Sequence, residues 1–375
     1  HFVIRALEGQ TMDIDTEEES VSTFAADVDT ASFALAAGYL RRKAMPPEAA
    51  IRVEEFINAF DYGYKAPTGK AVPFTVKTAL LPSPSRRGYA VLHIGIKARE
   101  IPKKKRLPAH LTLVIDASAT MKRAGRLDLV KRALKLLVAQ LGKTDTVSIV
   151  TFGTRTRVLA RYTPGHRHKK LAAAIDRIRA GGSAPLAAGL ALAYRLAYRR
   201  LKRGGSHRVI LCSDGVANSG VTDPQAILKT LRKATARGLT LTAVGFGMGS
   251  YNDRMMEQLA RGTNGNYYYV DRVSQAKRIF DKTLTGTLQL VARDLKLQVR
   301  FDKKVVSRYR LLGYESRMLK KRGFRASRTD AGELGAGQSV TALYEVKLRG
   351  AARKALGTLR VRYKTPAGRT ARQVE

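Results

Sequence analysis

The stretch LVIDASATMKRAGRLDLVKRAL, residues 113–134, decides the fold and suggests the chemistry of the chain. An apolar run ends at Asp116, and Ser118 and Thr120 follow at alternate positions before an amphipathic helix begins. Alternate residues that leave a strand can project their side chains the same way as the chain turns. One carboxylate and two hydroxyls brought together are oxygen ligands for a hard cation such as Mg²⁺. The stretch therefore predicts a cation site at the end of a strand.

Residues 110–285 alternate apolar strands with amphipathic helices. The strand patterns are LTLVIDAS, TVSIVTFG, RVILCSDG and LTLTAVGFG, and helical patterns lie between and after them. That order predicts an α/β fold with a doubly wound, mostly parallel sheet and helices on both faces. Ligands of such sheets bind beyond the carboxyl ends of the strands. We therefore expect Asp116, Asp214 and the loop GFGMGSYND, residues 245–253, to lie at the binding edge.

The segments on either side of this region are rich in strand patterns. VPFTVKTALL and GYAVLHIGIKA lie within residues 72–99, and four further strand patterns follow after the α/β region. Since the first pair has no sheet of its own, we expect it to join the later strands in a β-sandwich-like domain that contains the α/β domain as an insertion. The predicted domains are an acidic arm at 1–20, an N-terminal helical region at 21–70, a β-rich domain at 71–107 plus 287–375, and the α/β domain at 108–286.

Two helices are predicted in the N-terminal helical region. The first follows the apolar pattern of residues 32–40, and Pro46 and Pro47 open the second. Helical spacing predicts that the second helix buries the side chains of Ile51, Val53, Phe56, Ile57 and Phe60.

Charge is distributed unevenly along the chain. It has 69 Lys and Arg residues against 30 Asp and Glu residues, a formal net charge of +39. Residues 1–64 hold 12 acidic and 5 basic residues, a net of −7, and the remainder holds 18 acidic and 64 basic residues, a net of +46. A surface this basic attracts acidic polymers, nucleic acid, lipid head groups or acidic protein segments. The chain's own acidic arm is one such segment.

The acidic arm is predicted to bind a partner. Its candidate residues are Asp13, Asp15, Glu17, Glu18 and Glu19. We expect them to dock on the basic body of a neighbouring copy, which would give a homo-oligomer or a filament. The alternative is a polyanion-binding protein, for nucleic acid or an acidic envelope polymer, in which the arm competes for the basic surface.

The composition gives no support to several classes of protein. No apolar run is long enough to span a bilayer, so no transmembrane segment is predicted. The 6 histidines and the single cysteine, Cys212, form no nucleophile or acid–base pattern, and the chain is predicted not to be an enzyme. It begins at His1 with no visible signal sequence, and we expect any targeting segment to have been removed or to lie outside this sequence.

The residues at the strand ends resemble the metal-ion-dependent adhesion site of the von Willebrand factor type A domain. That family carries Asp-x-Ser-x-Ser, then a Thr on a later loop, then an Asp after a central strand. Here DASAT supplies Asp116, Ser118 and Thr120, and SDG supplies Asp214. The resemblance implies that these four residues are Mg²⁺ ligands.

The loop that carries Thr in the family is altered in this chain. It matches GGSAPLAAGL, residues 181–190, and Ala184 stands where the family has Thr. A methyl group cannot replace a hydroxyl ligand. Three bases behind the motif also oppose a dication, namely Lys122, Arg123 and Arg126. The alternative to a metal site is that Asp116, Ser118 and Asp214 cap helix N-termini and satisfy loop amides.

The resemblance covers nearly the whole chain from about residue 20 onward. STFAADVDTASF, GSYNDRMMEQLARGTNGNYYYVD and LTGTLQLVARDLKLQVRFD are similar to a bacterial subfamily that adds an N-terminal helical region and a C-terminal extension to the type A domain. Members of that subfamily are typically exported. The resemblance implies a non-enzymatic protein of the periplasm, outer membrane or cell surface that binds a protein partner or a surface polymer.

Overall fold

A computed structural model describes residues 12–69, 71–201, 205–247, 251–280, 288–319, 321–324, 332–350, 355–366 and 370–375. Its internal contacts divide the chain into two units. The α/β unit comprises Asp29–Ile51 and Ile101–Gln289. The sandwich unit comprises His1–Val28, Arg52–Glu100 and Leu290–Glu375.

The strands, in chain order, are β1 (Ile14–Asp15), β2 (Val21–Ala25), β3 (Phe74–Pro82), β4 (Tyr89–Ala98), β5 (Ala109–Asp116), β6 (Thr146–Phe152), β7 (Arg157–Pro164), β8 (Ser206–Ser213), β9 (Thr240–Phe246), β10 (Tyr267–Val270), β11 (Leu290–Phe301), β12 (Val306–Leu311), β13 (Gly332–Gly335), β14 (Ser339–Leu348), β15 (Gly357–Lys364) and β16 (Ala371–Val374). The α-helices are α1 (Ala31–Arg41), α2 (Val53–Ile57), α3 (Arg126–Val138), α4 (His168–Asp176), α5 (Leu186–Arg199), α6 (Pro224–Thr235), α7 (Asp253–Arg261) and α8 (Val273–Arg278).

The sheet of the α/β unit has the strand order β10-β9-β8-β5-β6-β7. Its neighbouring strands are parallel except β6 and β7, which run antiparallel. The prediction of a doubly wound, mostly parallel sheet is therefore confirmed. The carboxyl ends of β5, β6, β8 and β9 share one edge, which is where Asp116 and Asp214 lie.

Strand β5 is buried on both faces because helices cover both sides of the sheet. Leu113 and Ile115 belong to the core on one face, together with Val130 and Leu134 of α3. Val114 belongs to the core on the opposite face. Successive side chains of β5 thus point alternately into two cores, which explains why the sequence of the strand is almost continuously apolar.

The sandwich unit contains two sheets that pack face to face. One has the order β1-β12-β14-β4-β3, and the other has the order β13-β11-β15-β16 with β2 also paired to β11. Ring contacts join them: Phe301 of β11 lies with its centroid 4.5 Å from that of Tyr309 in β12 and 5.4 Å from that of Tyr344 in β14. Strand β4 pairs with β14, so the early strands do join the late ones, as predicted.

Part of the predicted helical region is a strand. Val21–Ala25, which we placed at the start of that region, forms β2 and pairs antiparallel with β11. All five of its residues are buried. Ser22 and Phe24 face the opposing sheet, where both contact Tyr344. The first predicted helix is confirmed as α1.

The second predicted helix is wrong in its extent and in its buried face. Only Val53–Ile57 is α-helical. Three of the apolar side chains expected in the core are exposed, namely Ile51 (38%), Val53 (42%) and Phe60 (57%). The buried residues are instead Glu54 and Glu55. They are buried because their carboxylates have partners: Glu54 Oε2 accepts a hydrogen bond of 3.1 Å from the Tyr314 amide, and Glu55 pairs with Arg52.

Candidate functional site

Three loops meet at the carboxyl edge of the α/β sheet and are held together by backbone hydrogen bonds. The Ala119 amide donates to the Gly182 carbonyl at 3.0 Å, and the Gly181 amide donates to the Ala117 carbonyl at 2.8 Å. The Thr154 amide donates to Gly181 at 3.1 Å. The loop that follows β5 is therefore fixed against the loops that follow β6 and precede α5.

Glycine is required where these loops touch. A Cβ at Gly153 would lie 2.6 Å from the carbonyl oxygen of Ala117. Gly182 has a φ of +74°, and its Cβ would lie 2.4 Å from Thr154 Oγ1. The close approach fixes the backbone from which Ser118 and Thr120 project.

Asp116 is fully buried, and both of its carboxylate oxygens accept hydrogen bonds. Oδ1 accepts from the Ser118 amide at 2.9 Å, and Oδ2 accepts from the Ser213 hydroxyl at 2.6 Å. Burial raises the pKa of Asp116 to about 6, although these hydrogen bonds act in the opposite direction.

The two hydroxyls of the motif bond to each other. Ser118 Oγ lies 2.9 Å from Thr120 Oγ1. Ser118 also occupies the N-cap position of the 3₁₀ helix Ala119–Gly125, but its side chain makes no capping hydrogen bond. The alternative to a metal site predicted that Ser118 caps a helix N-terminus. That prediction is wrong.

Asp214 is fully buried and is paired with an arginine. Its Oδ1 accepts from the Val216 amide at 3.1 Å, and its Oδ2 lies 2.6 Å from Arg126 Nη1. The Arg126 side chain is itself only 5% exposed. The other half of the alternative, that these carboxylates satisfy loop amides, is confirmed for Asp116 and Asp214.

Arg126 is held in place by the backbone around it. It is the first residue of α3, directly after Gly125. Its Nη1 also lies 3.4 Å from the Thr120 carbonyl oxygen. On another side it faces Gly247, where a Cβ would lie 2.2 Å from Arg126 Nε. Residues 248–250 of the loop predicted at this edge lie outside the described residues.

Sequence reasoning named Arg126 only as a base behind the motif and missed its contact with Asp214. A signal for it exists in the sequence. The positive end of a helix dipole disfavours a cation in the first turn, so an arginine that opens a helix beside acidic strand ends indicates a specific anionic partner.

Ala184 lies where the resemblance places it, within the loops of this edge. It is fully buried, and its amide donates to Asn218 Oδ1 at 2.6 Å. Its methyl group supplies no oxygen ligand. Among the residues that the structure describes, no group of three or more His, Cys, Asp and Glu side chains is placed to hold a metal ion. The Mg²⁺ ligation predicted for Asp116, Ser118, Thr120 and Asp214 stays a prediction.

The acidic arm belongs to the sandwich unit and pairs with bases of its own chain. Asp13 accepts two hydrogen bonds from Arg86, at 2.8 and 2.7 Å, and one from the Tyr89 hydroxyl at 2.9 Å. The hydrogen bonds from Arg86 hold the pKa of Asp13 below its usual value. Residue Asp15 lies 3.8 Å from Arg308 within the short pairing of β1 with β12.

The rest of the arm is held more loosely. Glu17 lies 3.2 Å from Arg349 and 3.6 Å from Lys303, and the side chains of these three residues are all more than 40% exposed. Glu19 accepts from the Val21 amide, and Glu18 is exposed. Docking of these residues on another copy stays a prediction, and it would require the arm to leave bases that it already contacts.

Comparison with known proteins places the chain in a family. A model of the von Willebrand factor type A domain matches residues 110–282. A model described as von Willebrand factor matches residues 8–93, and one described as the C-terminal part of the uncharacterized protein YfbK matches residues 286–375. YfbK of Escherichia coli is 35% identical over an alignment of 384 positions that covers 96% of this chain and 67% of YfbK.

The chain belongs to the bacterial proteins that carry a von Willebrand factor type A domain with a C-terminal extension. It spans about two thirds of the length of YfbK. An uncharacterized Synechocystis protein, sll0103, is 29% identical over 189 residues, 50% of this chain and 44% of that protein. A solved structure of a von Willebrand factor type A protein from Catenulispora acidiphila matches 84% of this chain and 73% of that protein's chain. The TM-score is 0.50 and the sequence identity is 16%, so this likeness shows the fold alone.

The type A domain indicates a role in protein interaction or adhesion. Among the described residues, no helix combines the length and the apolar character that a bilayer span needs.

Proposed function

We propose that the carboxyl edge of the type A domain is a docking face for an acidic segment of a partner protein, and that the chain is a non-enzymatic binding protein. One observation carries the proposal. The carboxylates of the edge, Asp116 and Asp214, are fully buried, whereas the bases Lys122, Arg123 and Arg155 are exposed on the loops that surround them. The face therefore offers positive charge to a partner.

The test uses a labelled polyglutamate peptide, with polyglutamine as the neutral control, and measures binding by fluorescence anisotropy. In the variant Lys122→Glu/Arg123→Glu, we expect binding to weaken strongly because repulsion replaces attraction at the face. The matched control is Arg232→Glu/Lys233→Glu. These two exposed bases lie in the last turn of α6, at the opposite edge of the sheet. Equal weakening by both variants would contradict a defined docking face.

The alternative function is binding of nucleic acid or an acidic envelope polymer over the whole basic surface. The net charge of +39 supports it. With duplex DNA as the probe, the logarithm of the affinity should fall linearly with the logarithm of the salt concentration. Under this alternative both charge-reversal variants weaken binding alike, so the same pair of variants separates the two functions.

Self-assembly through the acidic arm is a finer proposal. The exposed pairs of Glu17 with Arg349 and Lys303 support it, because such pairs contribute little stability and can exchange between copies. We expect the native mass to rise with protein concentration at low salt, and Glu17→Ala to reduce that rise. A native mass that is independent of concentration, salt and the arm would contradict it.

Export to the periplasm, outer membrane or cell surface is proposed on the resemblance to exported type A proteins alone. Fractionation of cells that produce the full-length protein should place it in the cell envelope or the medium. Recovery only from the cytosol would contradict export.

A further inference from the structure

The fold family implies a Mg²⁺ ion at the carboxyl edge, so the residues there must be tested for their fit to one. The oxygens that a metal would use are already engaged. Asp116 accepts hydrogen bonds at both oxygens, and Asp214 Oδ2 is 2.6 Å from Arg126 Nη1. The later loop supplies the methyl group of Ala184 in place of a hydroxyl. The residues present do not fit a dication.

The distance between the arginine and any such ion would be short. Mg²⁺ binds oxygen ligands at about 2.1 Å. An ion ligated by Asp214 Oδ2 could therefore stand no more than about 4.7 Å from Arg126 Nη1, given the 2.6 Å between those two atoms. Both side chains are buried, so solvent would screen the repulsion of two cations only weakly.

The backbone surrounds the guanidinium on two further sides. Nη1 also contacts the Thr120 carbonyl, and Gly247 leaves no Cβ on the side that the guanidinium occupies. Gly247 is itself held, since its carbonyl accepts a hydrogen bond of 2.7 Å from the Tyr269 hydroxyl. The space beside Asp214 is therefore shaped for an arginine.

We propose that Arg126 supplies, from within the chain, the positive charge that a bound dication would supply at this edge, and that it excludes Mg²⁺ from Asp214. The charge of Asp214 would then be balanced without a metal. This inference concerns the ion and not the partner, so it holds whether or not the edge binds an acidic segment.

The test is titration of the whole chain with Mn²⁺, a paramagnetic substitute for Mg²⁺, followed by electron paramagnetic resonance, with thermal unfolding as the second readout. Wild type should show no saturable Mn²⁺ binding that depends on Asp214. Arg126→Met combined with Ala184→Thr should bind one Mn²⁺ per chain at least about tenfold more tightly than wild type, with a metal-dependent rise in Tm. Arg126→Lys with Ala184→Thr keeps the cation and should show no gain.

Two results would overturn the proposal. One is saturable Mn²⁺ binding by wild type that is lost in Asp214→Asn. The other is a folded Arg126→Met/Ala184→Thr protein, verified by near-ultraviolet circular dichroism, that binds Mn²⁺ no better than wild type. If that variant fails to fold, Arg126→Gln/Ala184→Thr, which keeps a neutral hydrogen-bond donor beside Asp214, takes its place in the same comparison. A failure of the peptide-binding test would leave these metal measurements unaffected.

Discussion

The guanidinium of Arg126 lies 2.6 Å from the carboxylate of Asp214, and both side chains are buried at the carboxyl edge of the type A domain. They are separated by 88 residues in sequence. The pair connects the first turn of α3 to the end of the central strand β8. It therefore fixes the position of the loop that carries Ser118 and Thr120.

Breaking this pair should cost far more stability than breaking an exposed one. Arg126→Met leaves an unpaired buried carboxylate, for which we expect a loss of about 3–5 kcal/mol in the free energy of unfolding. Urea denaturation of the whole chain at neutral pH measures it. The matched control is Lys135→Met, which removes the exposed partner of Asp176 at 2.6 Å and should cost at most about 1 kcal/mol.

The double variant Arg126→Met/Asp214→Asn completes the comparison. Because it removes both charges, its cost should be well below the sum of the two single substitutions. If Arg126→Met were no more costly than Lys135→Met, the structural role of the pair would be refuted.

A side chain at Gly247 should displace the arginine. The Cβ of Gly247→Ala would lie 2.2 Å from Arg126 Nε, at a φ of +104°. Gly220→Ala is the control, because Gly220 has a φ of +70° and open space around its Cβ position. A positive φ strains the backbone of both variants, and Gly247→Ala also meets the arginine side chain, so we expect it to lose clearly more unfolding free energy in urea. Equal losses would show that the glycine does not shape the arginine site.

Acid should release the acidic arm through Asp13. Hydrogen bonds from Arg86 lower the pKa of Asp13 in the folded chain, so the group contributes stability above its unfolded pKa of about 3.9 and loses it as the pH falls toward the folded value. Asp13→Asn should therefore lower the Tm at about pH 6 and lower it by less at about pH 3, where part of the contribution of the charged group has been lost.

The control for the arm is Glu18→Gln, in the same segment, whose side chain is exposed. It should leave the Tm nearly unchanged at both pH values. A deficit of Asp13→Asn that is the same at both pH values would mean that the charge of Asp13 is not what holds the arm.

The sequence predicted the elements whose periodicity is strong. Strand β5 and helix α3 follow from continuous apolar residues and from apolar positions at 127, 130, 134 and 137. The meeting of Asp116 and Asp214 follows from the rule that parallel strands end at one edge. The hairpin partner β7 was missed, because its residues are mostly half-exposed and lack a clear alternation.

Contacts between polar residues that lie far apart in the sequence determine the features that sequence periodicity could not predict. The buried carboxylates of α2 depend on Tyr314 and Arg52, and Asp13 depends on Arg86, which is 73 residues away. Local patterns assign Glu to solvent and Ile or Phe to the core, so they reversed the buried face of α2. The role of Arg126 was hidden for the same reason, since its partner lies on another strand.

Under the proposals above, the docking face carries its own cation and needs no metal ion. The most direct test compares binding of the polyglutamate peptide to the wild-type chain in Mg²⁺ and, separately, in EDTA. If Arg126 takes the place of the ion, the Kd should be the same in both buffers at matched ionic strength. Loss of binding in EDTA that added Mg²⁺ restores, and that Asp214→Asn abolishes, would contradict it.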